Sequence, residues 1–230
     1  MSRRLRPLQF EQMTDIFREI DEDLRRDRYS SLLRRLAPLL IAIIVLIIVG
    51  VGSWQGWRYY QRQNAESAGD RFEAALTELR GNKTDDAVKT LEALAASGPD
   101  GYKLVSRFRL AALAAERDAN AGAEAFAAIA DDAKLEAAWR ELARLRSVSL
   151  KLGSMSAEEV QAALQPLAAP GRTWRHNALE LLGLSALQAG KLEDAGRWFD
   201  QLMTDSETPA ALRQRVQTVY LALVSGGNVK

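Results

Sequence analysis

The longest stretch of this chain without an ionisable side chain covers residues 36–57. Its centre, 39–49, consists only of Leu, Ile, Val and Ala. A helix rises about 1.5 Å per residue, so the stretch spans roughly 30 Å, the thickness of a bilayer's hydrocarbon core. A buried helix of a soluble core is the alternative, but such helices usually keep a polar stripe. The stretch predicts one transmembrane helix, with Pro38 in its first turn, where a missing N–H costs little.

Basic residues flank this apolar stretch unequally. Five arginines precede it closely and two follow it: Arg25, Arg26, Arg28, Arg34 and Arg35 before, and Arg58 and Arg62 after. Because basic residues resist translocation, this bias predicts a cytoplasmic amino terminus and a carboxyl-terminal part on the far side. Four aromatic residues at the far boundary agree, because their rings prefer the headgroup region: Trp54, Trp57, Tyr59 and Tyr60. The predicted organisation is a cytoplasmic leader at 1–35, a span at 36–57 and a part at 58–230 on the far side of the membrane.

A cleaved signal peptide is the competing interpretation of this segment, with Gly50 and Gly52 as the small residues before the cut. The leader at 1–35 contains seven acidic residues, which is unusual for a signal peptide. The aromatic residues after the apolar run also favour an anchor that stays in the membrane.

The part after the span has the composition of a helical protein. It is rich in alanine and contains no run of Val and Ile, although strands favour β-branched residues. Gly and Pro residues divide it into segments, which predict helices at 59–80, 84–96, 101–117, 120–131, 133–152, 157–168, 172–189, 192–204 and 209–225. Ser156 and Glu159 predict a capping box. Thr208 and Pro209 predict an N-cap followed by a proline, and Pro166 an early end or a kink.

Two helix pairs share a spacing that indicates an internal repeat. In the later pair, Gly183 on the first helix lets Ala195 on the second approach closely, and Phe199 fills the space beneath. The first pair places Ala75 and Ala87 at the equivalent positions. These spacings resemble the tetratricopeptide signature, more loosely at 104–135 and least at 133–168.

The predicted fold class is therefore all-α. One amino-terminal transmembrane helix precedes a tetratricopeptide-like α-solenoid of about four helix pairs, and the last helix, 209–225, caps the stack. An unrelated helical bundle is the alternative, since alanine-rich helix pairs match this degenerate signature by chance.

Two sets of apolar residues are candidates for binding partner proteins. First helices of such repeats line a concave face, where an extended segment of a partner can bind. The candidates on that face are Phe72, Leu76, Phe108, Ala112, Leu184 and Leu187, with packing between repeats as the alternative. In the leader, a charged helix presents the ridge Phe17, Ile20 and Leu24, which predicts docking on a membrane-embedded partner or on the bilayer; a solvated leader is the alternative.

The composition argues against most chemistry. A net charge of +1 gives no basic excess for nucleic acid, and the absence of Cys with a single histidine, His176, leaves few metal ligands or nucleophiles. Four pairs of acids at predicted helix starts stabilise helix dipoles: Asp85-Asp86, Asp131-Asp132, Glu158-Glu159 and Glu193-Asp194. The sequence predicts no enzyme, no cofactor, no metal and no small-molecule substrate.

Three sequence features together resemble one bacterial family, the ancillary subunits of the SecYEG translocon, in the form common in alphaproteobacteria. They are the acidic leader at 14–23, the sequence Gly56-Trp57-Arg58-Tyr59-Tyr60 at the exit from the span, and Gly101-Tyr102 opening the second repeat. The residues 1–10 match no feature of that family, which is consistent with a mis-assigned start codon.

The resemblance implies an inner-membrane protein that assists secreted proteins, with its repeat domain at 58–230 in the periplasm. Its implied partners are translocon subunits and periplasmic chaperones or clients. Three alternatives stay open: a cell-division or envelope-assembly scaffold with the same fold, a periplasmic hydrolase that uses paired carboxylates, and a regulator that senses both sides of the membrane.

Overall fold

The computed structural model describes the backbone of residues 11–226 and side-chain surroundings within 36–221. This part of the chain contains helices and no strand, which confirms the all-α prediction. The α-helices are α1 (Glu11–Arg80), α2 (Thr84–Ser97), α3 (Asp100–Arg117), α4 (Ala119–Ala130), α5 (Ala137–Lys151), α6 (Ala157–Leu164), α7 (Arg175–Gln188), α8 (Leu192–Thr204) and α9 (Ala210–Gly226). The chain divides into two compact units, one up to Asn64 and one from Ala65.

The described part of the first unit is the segment of α1 up to Asn64, and the rest of α1, from Ala65 to Arg80, belongs to the second unit. Because α1 begins at Glu11, Pro38 lies inside the helix, and the prediction that it occupies the first turn is wrong. Within the described residues, α1 contains the one helical stretch long and apolar enough to cross a membrane, and none of its apolar window is buried in the protein. The predicted boundaries at 35 and 57 both fall within α1 and stay predictions.

The second unit is a series of helices in which each packs on its neighbours along the chain. The end of α1 meets α2 through Ala75, Ala87 and Leu91, and Leu113 of α3 joins the same cluster. Further apolar clusters join α3, α4 and α5, then α5, α6 and α7, then α7, α8 and α9. The result is four helix pairs followed by a final helix, as the repeat pattern predicts.

Two predicted helix starts are wrong by three or four residues. The fifth helix begins at Ala137 instead of 133 because Asp132 Oδ1 accepts the backbone N–H of Lys134 and holds the preceding residues in a turn. The seventh begins at Arg175 instead of 172, after a turn in which Gly171 has a φ of 79°. A positive φ favours glycine, because it has no Cβ to clash with the backbone.

Local signals for helix ends are confirmed at 156–167. Ser156 caps α6 through the backbone N–H of Glu159, while the Glu159 carboxylate accepts the backbone N–H of Ser156. Helix α6 ends at Leu164, and Pro166 lies in a single 3₁₀ turn, as its missing N–H requires.

Thr208 has a different role from the predicted cap. Its hydroxyl donates to the Leu202 carbonyl over 2.7 Å, and α9 begins two residues later, at Ala210.

Candidate protein-binding surface

The residues that set the distance between paired helices are small and buried. Ala75, Ala87 and Ala195 are each 0% exposed, and their single methyl groups leave room for close packing of the helices. A Cβ on Gly183 would lie 2.7 Å from Cδ1 and Cζ of Phe199, whose ring is also fully buried. The ring therefore occupies the space that the missing side chain leaves open.

Helices α3 and α4 pack tightly at a glycine that the repeat signature does not mark, Gly122. A Cβ on Gly122 would lie 2.6 Å from the backbone nitrogen of Ala115 and closer still to its Cα and Cβ. The sequence contains one signal for this contact. A glycine inside an alanine-rich helix destabilises it, so a packing reason is expected.

Aromatic side chains connect each first helix with the next. Tyr102 at the start of α3 lies 6.1 Å from Phe72 of α1, and Trp139 of α5 lies 6.1 Å from Phe108 of α3, both measured between ring centroids. At the start of α7, the Trp174 indole N–H donates to the Ala138 carbonyl of α5 over 2.7 Å. The rings at 102, 139 and 174 recur at nearly equal intervals, a period that the sequence contains and that the signature analysis missed.

The candidates on the first helices are half-buried. Phe72 packs against the cluster of Ala75 and Leu91, and Phe108 and Ala112 pack against that of Leu104 and Ala111. Leu76 is half-buried as well. Leu184 and Leu187 pack against the cluster of Leu179 and Phe199. Part of each side chain therefore serves packing between helices, and the remaining part is accessible to a partner.

Two large apolar side chains on the first helices α3 and α5 are exposed, Val105 and Trp139. The Trp139 side chain is 40% exposed, although its ring and that of Phe108 form an edge-to-face pair. Val105, one turn before Phe108 on α3, is 36% exposed. The candidate leader residues Phe17, Ile20 and Leu24 lie on α1, but their side chains fall outside the described residues.

A groove of about 400 Å³ lies between the first helices α5 and α7 and the final helix α9. It is lined by Leu142, Leu145, Arg146, Ser149, Trp174, Asn177, Glu180, Leu181 and Arg215. Two N–H groups of Arg215 donate to the two carboxylate oxygens of Glu180 over 2.6 and 2.7 Å, and these bonds raise the pKa of Arg215. Hydrogen-bonding groups therefore lie beside apolar walls, as recognition of an extended peptide requires.

The paired acids have structural partners. Ion pairs and caps occupy most of them: Asp131 with Arg144, Asp132 with Arg107, Glu158 with Lys191, Asp194 with Arg197, and Glu159 in its capping box. The Arg107 hydrogen bond lowers the pKa of Asp132 most, and that from Lys191 lowers the pKa of Glu158. Asp131 follows the end of α4, so the prediction that this pair starts a helix is wrong. Among the described residues, no three acids and histidines form a metal-binding group.

His176 belongs to a half-buried charge network at the start of α7. The Asp205 carboxylate accepts a hydrogen bond from Arg175 and lies 3.1 Å from His176 Nε2. Arg213 of α9 donates to the Asp205 carbonyl over 2.8 Å. These polar contacts connect the loop between α8 and α9 with the start of α7.

We expect this histidine to make the free energy of unfolding depend on pH. Burial and then the charge of Arg175 lower the pKa of His176 from its ordinary 6.5, whereas Glu207 raises it. The unfolded chain therefore binds this proton more readily than the folded one. The contribution of His176 to the free energy of unfolding is complete above about pH 6.5, and it is lost as pH falls through the lowered pKa of the folded state.

The variant His176→Gln tests this expectation, because its amide retains a donor near Asp205 and does not titrate. Between pH 7.5 and 5.5 its unfolding temperature should fall less than that of the wild type. Carboxylates titrate mainly below this range, at about pH 4, so they contribute little to the difference. Equal falls in thermal unfolding experiments would contradict the assignment.

Stacked helix pairs joined by small residues and rings define a helical-repeat protein. A protein-family model described as "Tetratricopeptide repeat-like domain" matches residues 33–223, which include the apolar segment of α1. The chain belongs to this family. Searches of curated proteins and of solved structures each return no match. The fold is typically a non-catalytic scaffold for protein–protein interaction.

Proposed function

We propose that this protein is a scaffold anchored in the bacterial inner membrane, with its repeats in the periplasm, and that it acts as an ancillary translocon subunit. The observation that supports the anchor best is the surface of α1. The large apolar side chains described at 36–57 are 47–74% exposed, and none of the apolar window is buried. In water this surface would be unfavourable, whereas in a bilayer it contacts lipid tails.

The orientation follows from the flanking charges. Five arginines lie at 25–35 on the amino side, and two lie at 58–62 on the carboxyl side. This asymmetry favours a cytoplasmic leader and periplasmic repeats. The leader ridge of Phe17, Ile20 and Leu24 then faces cytoplasmic or membrane-embedded partners.

Partner binding is assigned to the first helices. The exposed part of Trp139 and the accessible parts of Phe72, Leu76, Phe108, Leu184 and Leu187 belong to these helices, and the groove beside Trp174 lies between two of them and α9. Anchoring keeps the surface near other membrane proteins, at an effective concentration of about a millimolar for a short linker. Weak contacts with an emerging polypeptide or a chaperone are then sufficient.

The translocon role rests on the resemblance of the leader and of the exit from the span. The alternative within the same class is a cell-division or envelope-assembly scaffold. Both functions use an anchored repeat unit, so they differ only in the proteins that are bound.

Site-specific crosslinking distinguishes the two. A photoreactive amino acid at Trp139 should crosslink translocon subunits, periplasmic chaperones or secreted clients in intact cells, identified by mass spectrometry. A matched probe at Leu192, which is 57% exposed on a second helix, should yield at least several-fold less of these products. Recovery of division or assembly proteins at Trp139 would favour the alternative. Equal products at both positions would contradict the assignment to first helices.

A further inference from the structure

Three arginines line a small polar cleft at the start of α5, outside the surface assigned to proteins. The cleft has a volume of about 190 Å³. Its lining residues are Ala130, Ala137, Arg140, Glu141, Arg144 and Arg172. The arginines come from α5 and from the loop before α7, so the fold brings together residues that are distant in the sequence.

Most of the hydrogen-bond donors of these arginines have no protein partner. Arg144 donates to Asp131 over 2.9 Å, and Arg172 donates to Glu141 over 2.8 Å, each through one nitrogen. A guanidinium group has five N–H donors, so each retains several. Arg140 forms no salt bridge within the part of the chain that the structure describes, and its buried Nε–H lacks an acceptor.

The charges around the cleft favour an anion. Three guanidinium groups and one carboxylate, that of Glu141, line the cleft, and Asp131 beside it pairs with Arg144. Ala137 is the first residue of α5, and Glu136 before it makes no side-chain cap, so the positive end of the helix dipole adds to this charge. The remaining N–H groups of the three arginines are available to donate to an oxyanion held in the cleft.

We propose that this cleft binds a phosphate group. Planar guanidinium forks match the oxygens of phosphate, and the cleft is too small for a peptide segment of several residues. Free inorganic phosphate and the phosphodiester of a lipid headgroup share this chemistry. The site does not depend on which proteins bind the first helices.

Thermal unfolding of the full chain in detergent tests the proposal. A ligand that binds only the folded state stabilises it, so inorganic phosphate at about ten times its dissociation constant should raise the unfolding temperature by about 4 °C over sodium chloride of equal ionic strength. Arg140→Gln should reduce this rise to about a quarter or less. The matched control is Lys151→Gln, on the same helix but outside both the cleft and the groove, which should retain the full rise.

The outcomes separate the proposal from nonspecific anion effects. No rise in the wild type, or an equal rise in Arg140→Gln, would overturn it. Should Arg140→Gln not fold, Arg172→Gln replaces it, because that side chain is 47% exposed and the glutamine amide can still donate to Glu141. Dimethyl phosphate serves as the diester probe. A rise with both probes supports a lipid headgroup, and a rise with inorganic phosphate alone supports free phosphate.

Discussion

Gly122→Ala is expected to lower the free energy of unfolding by about 3 kcal/mol, the cost of overfilling a tightly packed contact. The added Cβ would lie 2.6 Å from the backbone nitrogen of Ala115, and a backbone atom cannot rotate away as a side chain can. Helices α3 and α4 would have to separate. Separation would in turn loosen Phe126 and Ile129 in the cluster with Leu104.

The measurement is urea unfolding of the full chain in detergent, followed by circular dichroism of the helices. Gly196→Ala in α8 is the matched control, because its Cβ would have no atom within 4 Å. Alanine favours a helix over glycine by about 1 kcal/mol, so this control should gain stability. Gly183→Ala should lose stability, but less than Gly122→Ala, since its neighbour is the ring of Phe199. Gly122→Ala as stable as Gly196→Ala would contradict the packing described here.

Local sequence signals predicted most of the helices because the determinants are short-range. Gly81 precedes α2, the capping box of Ser156 precedes α6, and Gly190 precedes α8, and each acts within a few residues of the helix end. The starts of α5 and α7 were misplaced because loop residues there are compatible with a helix. The hydrogen bond accepted by the Asp132 side chain delays the start of α5, and the turn at Gly171 delays the start of α7.

Long-range contacts were only partly predictable. The signature pointed to Gly183, because that helix pair follows the usual spacing. It did not point to Gly122, because the second repeat places its glycine one residue before Ala123, the residue aligned with the signature. The contact of Tyr102 with Phe72, like that of Trp139 with Phe108, joins two first helices with another helix between them in the sequence. Only a search for aromatic residues at the repeat period would have found them.

The arginine cleft could be predicted from the sequence even less than these contacts. Arg140 and Arg144 are one turn apart on α5, whereas Arg172 lies in the loop before α7, and α6 separates it from α5 in the sequence. In sequence these residues resemble the solvated charges of any surface helix. Their common cleft depends on the turn that precedes α7 and on the bond from Trp174 to Ala138. Both are features of the folded chain.

Three arginines placed in the apolar segment are expected to remove the protein from the membrane. Ile41→Arg, Ile44→Arg and Ile48→Arg lie on one face of α1, and each replaces an apolar side chain that is 55–64% exposed. Each arginine at the centre of a span costs about 3 kcal/mol for insertion, so the three together cost about 9 kcal/mol. The apolar clusters of the repeats contain none of these residues, so their packing should not change.

Cell fractionation followed by an alkaline carbonate wash measures the effect. The wild type should stay in the membrane pellet, while most of the triple arginine variant should appear in the wash or remain in the cytoplasm. The triple variant Ile41→Leu, Ile44→Leu and Ile48→Leu is the matched control and should behave as the wild type, because leucine is equally apolar. Urea unfolding of the released protein reports whether the repeats are folded. A folded arginine variant that still resists the wash would exclude this segment as the anchor and would require attachment through another surface.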